Sequence, residues 1–127
     1  MLLIGSVRDA DGRPLPGASV FTYQTDARGL YSPTGDDNAR LFAWVRTDGD
    51  GCFALRTIRP AAYPNQAIDQ HVHFVVAAHD HLQVERRIGF VDDPFWQTQA
   101  PEERPWLVPV ERGDDGLARC RFVLHVP

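Results

Sequence analysis

Apolar and polar residues alternate in short runs along most of the chain, and nowhere recur at the spacing of a long amphipathic helix. Runs at residues 2–8, 18–24, 41–47, 52–57, 71–78, 82–90 and 118–126 read as strands. In the run from His71 to Val76, Val72, Phe74 and Val76 share one apolar face while His71 and His73 share the other, because successive strand side chains point to opposite sides. Glycines and prolines, ten of each, are spread between the runs as turn formers. Asp11-Gly12 and Asp50-Gly51 supply residues that tolerate positive φ, and the stretch 47–51 reads as a hairpin connection. Strands spaced this way without helices predict an all-β fold, an antiparallel β-sandwich of about seven to eight strands with long loops. The loops are residues 25–40, 58–70 and 91–117. The last carries Pro94, Pro101, Pro105 and Pro109 together with Phe95, Trp96 and Trp106, aromatics that favour packing over disorder.

A chain of 127 residues is one domain's worth of sequence, so residues 1–127 are expected to form a single domain. The net charge of -4 argues against nucleic acid as a partner, since phosphate binding needs a basic surface. All 13 basic residues are arginine, which excludes Schiff-base chemistry and any lysine-based phosphate loop. No run approaches the ~20 apolar residues of a membrane span. The opening Met1-Leu2-Leu3-Ile4 is short for a signal peptide and lacks a basic lead. Cys52 and Cys120 fit no disulfide framework and read as ordinary thiols of a reducing, cytoplasmic setting.

Two imidazoles two residues apart on one strand can converge on a single metal if other ligands join them. A solvent-facing or hydrogen-bonded histidine pair would show the same spacing. His79-Asp80-His81 repeats the spacing where the chain should turn and reads as a surface turn, and His125 as a structural residue. Tyr31 and Tyr63 lie in loops, without the alternation that would assign them to a core strand. A tyrosine so placed is commonly a packing residue with a wet hydroxyl.

Four ordered pieces carry a family resemblance. They are Gly5-x-Val7-x-Asp9-x-x-Gly12-x-Pro14-Leu15-x-Gly17-Ala18-x-Val20; Tyr23-Gln24-Thr25-Asp26-Ala27-x-Gly29-x-Tyr31; Thr47-Asp48-x-Asp50-Gly51-x-Phe53 running on to Thr57-Ile58-x-Pro60-x-x-Tyr63-Pro64; and His71-x-His73-Phe74 with Phe90-x-x-Asp93-Pro94 downstream. The pattern resembles the intradiol ring-cleavage dioxygenases, the catechol and protocatechuate dioxygenase family. The first piece also occurs in non-catalytic sandwich modules; the ordered Tyr, Tyr, His-x-His set is more specific. The resemblance implies that Tyr31, Tyr63, His71 and His73 bind a mononuclear non-haem Fe(III), a hard cation suited to phenolates and imidazoles. It further implies an oxidoreductase whose partners are a small aromatic diol and O2, with Tyr63 leaving the metal to accept a substrate proton.

The sequence also departs from that pattern. An arginine is usual three residues before the first histidine, where this chain has Ile68, and a glutamine is usual where it has Arg87. Arg87 is therefore expected to supply the missing positive charge near the substrate, against the simpler view of a solvated strand charge beside Arg86. The Tyr63-to-His71 connection is short, and with its first predicted strand at residue 2 the chain is expected to lack the N-terminal regions of larger members. The pocket is thus expected to be open, or completed by residues 91–117 or by another subunit of a homo-oligomer. Two further readings remain: a transthyretin-like or peptidase-appended binding module without metal, and a divalent-metal hydrolase using the same histidine pair.

Overall fold

The computed structural model describes residues 1–34 and 38–127; residues 35–37, within the expected loop 25–40, lie outside them. Among the described residues nine strands and one helical turn form. Strands β1 (Leu2–Arg8), β4 (Cys52–Arg56), β9 (Ala118–His125) and β8 (Glu111–Arg112) make one sheet in the order β4-β1-β9-β8. Strands β3 (Leu41–Arg46), β2 (Ser19–Gln24), β5 (His71–Ala77), β6 (Val84–Phe90) and β7 (Leu107–Val108) make the other, in the order β3-β2-β5-β6-β7. The seven expected strands are all present within two residues of their expected bounds.

The inward residues are those the alternation selects. Leu3 and Val7 of β1, Val20 of β2, Val72, Phe74 and Val76 of β5, Ile88 and Phe90 of β6, and Cys120 and Leu124 of β9 are buried together. Removing these apolar surfaces from water, at roughly 25 cal/mol per Å², is what holds the two sheets face to face. Phe74 lies 6.2 Å from Phe53 and 5.3 Å from Phe122 between ring centroids, so one aromatic cluster bridges the layers.

Three expectations need correction. The sheets are mixed: β1 pairs β9 in parallel and β6 pairs β7 in parallel, because the first and last long strands lie side by side and the chain returns along the edge beside β6. The stretch 47–51 is no hairpin. It carries the chain from β3 in one sheet to β4 in the other, with the buried Thr47 hydroxyl donating to Leu15 O at 2.6 Å and accepting from Ala18 N–H at 2.8 Å. Residues 91–117 are not all loop; they contain β7, β8 and helix α1 (Pro94–Gln97), started by Asp93, whose carboxylate accepts the Phe95 N–H.

One turn design recurs. In Asp9–Gly12, Asp26–Gly29 and Asp48–Gly51 the aspartate Oδ1 accepts the N–H groups two and four residues on. The glycine closes each turn at φ near 81, 81 and 74°. Short acceptor side chains and a residue free to take positive φ are what such a turn demands.

Candidate metal centre

The outer face of the five-stranded sheet carries the site. His71 and His73 project from β5 away from the core, as their alternation with Val72 and Phe74 dictates. Tyr23 of β2 stands opposite His73, and its ring stacks on the imidazole at 4.6 Å and 12°. On the other side of His73 stands Arg87 of β6.

The two loop tyrosines arrive by loops sewn to each other. Gln24, buried at the end of β2, donates from Nε2 to Ile58 O at 2.8 Å and accepts from the Thr57 hydroxyl at 3.1 Å. Thr25 donates from its hydroxyl to Ala61 O at 2.7 Å, and Ala61 N–H donates to Asp26 O at 3.1 Å. The Asp26–Gly29 turn then brings the chain round to Tyr31, whose carbonyl accepts from Arg40 N–H at 2.9 Å. Gly29 packs so tightly that a Cβ there would lie 2.0 Å from Ala62 O. These bonds give the Gln24-Thr25-Asp26 and Thr57-to-Tyr63 motifs their physical content, since they fix one phenol relative to the other.

Four donor atoms meet. Tyr31 Oη contacts Tyr63 Oη and lies 3.0 Å from His73 Nε2. Tyr63 Oη lies 3.2 Å from His71 Nε2, and the two Nε2 atoms are 3.0 Å apart. The Nδ1–H of His71 donates to Asp69 O at 2.8 Å, which turns the lone pair of Nε2 inward. Ligands about 2.1 Å from a common ion sit roughly 3 Å from one another, so the spacing fits a single cation. Electrostatics agree. Burial, then the hydrogen bond and like charge of Tyr63, push the Tyr31 phenol above its ordinary range. Burial, with His71 and Arg87 alongside, pulls His73 down to about 4. A phenol that resists bare negative charge and an imidazole that resists a proton are suited to share a metal ion. Among the described residues no group of three or more His, Cys, Asp or Glu side chains that could hold a metal comes together; the side chains that meet here are two phenols and two imidazoles.

The other sequence candidates stand elsewhere. His79 pairs with neighbouring Asp80, His81 Nδ1 meets Pro127 O at 3.0 Å, and His125 is exposed on β9. Cys52 and Cys120 are free thiols. Arg87 is not a wholly solvated charge. Its Nη1 donates to Asp69 Oδ1 at 3.1 Å, and its guanidinium lies 5.8 Å from the Trp106 ring centroid. Tyr23, Asp69 and Trp106 thus border the site; Tyr23 heads the second of the four ordered pieces, whereas no spacing rule singles out Asp69 or Trp106.

Comparison with known proteins bears on this geometry. Residues 1–109 match the family described as Dioxygenase. The chain is 32% identical over 115 residues to catechol 1,2-dioxygenase of Acinetobacter baylyi, a match covering 75% of this chain and 37% of that protein. The chain belongs to the intradiol ring-cleavage dioxygenase family. A dioxygenase domain from a carbohydrate-binding fusion of Streptomyces sp. SirexAA-E superposes with a TM-score of 0.79 at 27% identity, over 98% of this chain and 77% of that one. Hydroxyquinol 1,2-dioxygenase of Pseudomonas putida shares the fold with a TM-score of 0.82 at 24% identity, over 98% of this chain and 55% of its own. This family member spans less than half the length of the curated relatives it matches first. No helix among its described residues is long and apolar enough to cross a membrane.

Proposed function

We propose that this chain is the catalytic core of an intradiol dioxygenase, which inserts both atoms of O2 into a catechol-type diol and breaks the bond between the two hydroxylated carbons to give a muconate-type diacid. The observation that carries this is the meeting of Tyr31, Tyr63, His71 and His73 around one point. These four would hold a mononuclear non-haem ferric ion. Bound there, ferric iron supplies the Lewis acidity that keeps both diol oxygens deprotonated and makes the ring electron-rich enough to react with O2.

The remaining work belongs to the chain. By the family resemblance Tyr63 would be the ligand that leaves and takes a substrate proton; its backbone groups make no hydrogen bond among the described residues, whereas the Tyr31 carbonyl accepts from Arg40 N–H. Arg87 stands beside His73 and offers positive charge to a diolate oxygen. Tyr23 braces His73 by stacking. Beside it a hollow of about 500 Å³ is lined by Phe21, Tyr23, Phe42 and Trp44, a surface suited to an aromatic ring.

Oxygen uptake with catechol by the iron-loaded protein, with product followed as a ring-opened diacid, tests the assignment. Uptake of one O2 per diol is expected. Hydrolytic activity restored by zinc in colourless protein would instead favour the divalent-metal hydrolase.

A further inference from the structure

Behind the His71 imidazole lies a carboxylate that the ring-cleavage scheme leaves unused. Asp69 is 2% exposed. Its main-chain oxygen accepts from His71 Nδ1, its Oδ1 lies 3.9 Å from that same nitrogen, and Oδ1 accepts from Arg87 Nη1 at 3.1 Å. Oδ2 has no hydrogen-bond partner among the described residues. Gly89 stands opposite His71, and a Cβ there would come 2.9 Å from Oδ2, so the missing side chain makes room for the carboxylate. Trp106 flanks the guanidinium. The Arg87 side chain is 36% exposed, and its Nε and Nη2 make no hydrogen bond among the described residues.

A charge taken from water is costly unless something pairs with it. Here the pairing fixes a long side chain that would otherwise lose rotamer freedom only when substrate arrives. We propose that Asp69 is a positioning residue: together with Trp106 it holds Arg87 beside the His71–His73 pair, with the free edge of the guanidinium turned to the oxygen of a bound diolate. This rests on the ferric ring-cleavage assignment above. Asp69 serves two groups by two different atoms, its carbonyl fixing the His71 tautomer and its carboxylate fixing Arg87. Asp69→Asn separates these roles, since it keeps the carbonyl and the shape and removes the charge.

The test is an anaerobic catechol titration of iron-loaded wild type, Asp69→Asn, Arg87→Ala and the double variant. The visible phenolate-to-metal band is followed and iron content measured in parallel. All four should retain iron. Asp69→Asn should weaken catechol binding about ten-fold, the scale of groups acting behind a ligand shell. Arg87→Ala should lose at least as much, and the double variant should be no weaker than Arg87→Ala alone, because the first residue acts through the second. Gly89→Ala, which crowds the carboxylate without altering charge, should weaken binding in the same direction and serves if Asp69→Asn does not fold. Additive losses in the double variant, or unchanged affinity in Asp69→Asn, overturn the proposal. Loss of iron from Asp69→Asn overturns it as well, by assigning Asp69 to His71 rather than to Arg87. A wild type that takes up iron without a phenolate band removes the ring-cleavage assignment and this proposal with it, and is told apart by the wild-type spectrum alone.

Discussion

Gly29 shows how a single residue sets the geometry of the site. It sits at φ +81°, and an added Cβ would press within 2.0 Å of Ala62 O, in the loop that leads to Tyr63. Gly29→Ala therefore adds backbone strain and pushes apart the two loops that bring the phenols together. We expect a destabilisation of about 1–3 kcal/mol, read by thermal denaturation, with iron retention falling in step. Unchanged melting and iron content would mean that the loops are not locked here. The proposed ligands give a sharper contrast. Tyr31→Phe and His73→Ala should each cut iron content severely while leaving the fold intact, because both side chains lie outside the core. Full iron retention in both would show that the donor set is wrong.

At the scale of elements, the recurrent aspartate–glycine turn links sequence to site. In the Asp26 turn, backbone N–H groups of Leu30 and Arg28 hold the carboxyl below its usual range, with the Arg28 guanidinium adding to the effect. A depressed folded value means that the turn's contribution is fully present above the unfolded carboxyl range near ~4 and is lost as pH falls through the lower folded value. Asp26→Asn should therefore lose less thermal stability than wild type on acidification from about pH 5 to about pH 2. Equal acid sensitivity would mean that the carboxylate contributes nothing to the fold.

The same turns explain where reading from sequence stopped. Seven strands were legible because each is long enough for alternation to show, whereas β7 and β8 have two residues each and cannot display a period. The stretch 47–51 carries hairpin-type residues, yet the identical turn geometry also serves a corner between sheets, and only long-range pairing decides which. His71 and His73 were legible as one face of β5. Their meeting with Tyr31 and Tyr63 was legible only through family resemblance, since the cross-loop bonds from Gln24 and Thr25 have no local signature. Asp69 was invisible because the space it occupies is left by Gly89, on another strand.

The molecule as a whole is a sandwich whose outer face carries the meeting of Tyr31, Tyr63, His71 and His73 while its inner face supplies the stability. Phe74, fully buried between His73 and Val75, belongs to the inner face. Phe74→Ala should cost about 3–5 kcal/mol in denaturant unfolding, as large-to-small changes in close-packed cores do. A loss below about 1 kcal/mol would place the two layers in much looser contact than their aromatic packing implies. The catalytic assignment depends on the outer face alone. Its most direct test is the visible spectrum of the protein loaded anaerobically with ferric iron, recorded before and after catechol is added. The account predicts a coloured protein with a phenolate-to-metal charge-transfer band that shifts on addition of the diol. A protein that binds stoichiometric iron and stays colourless, with or without catechol, would contradict it.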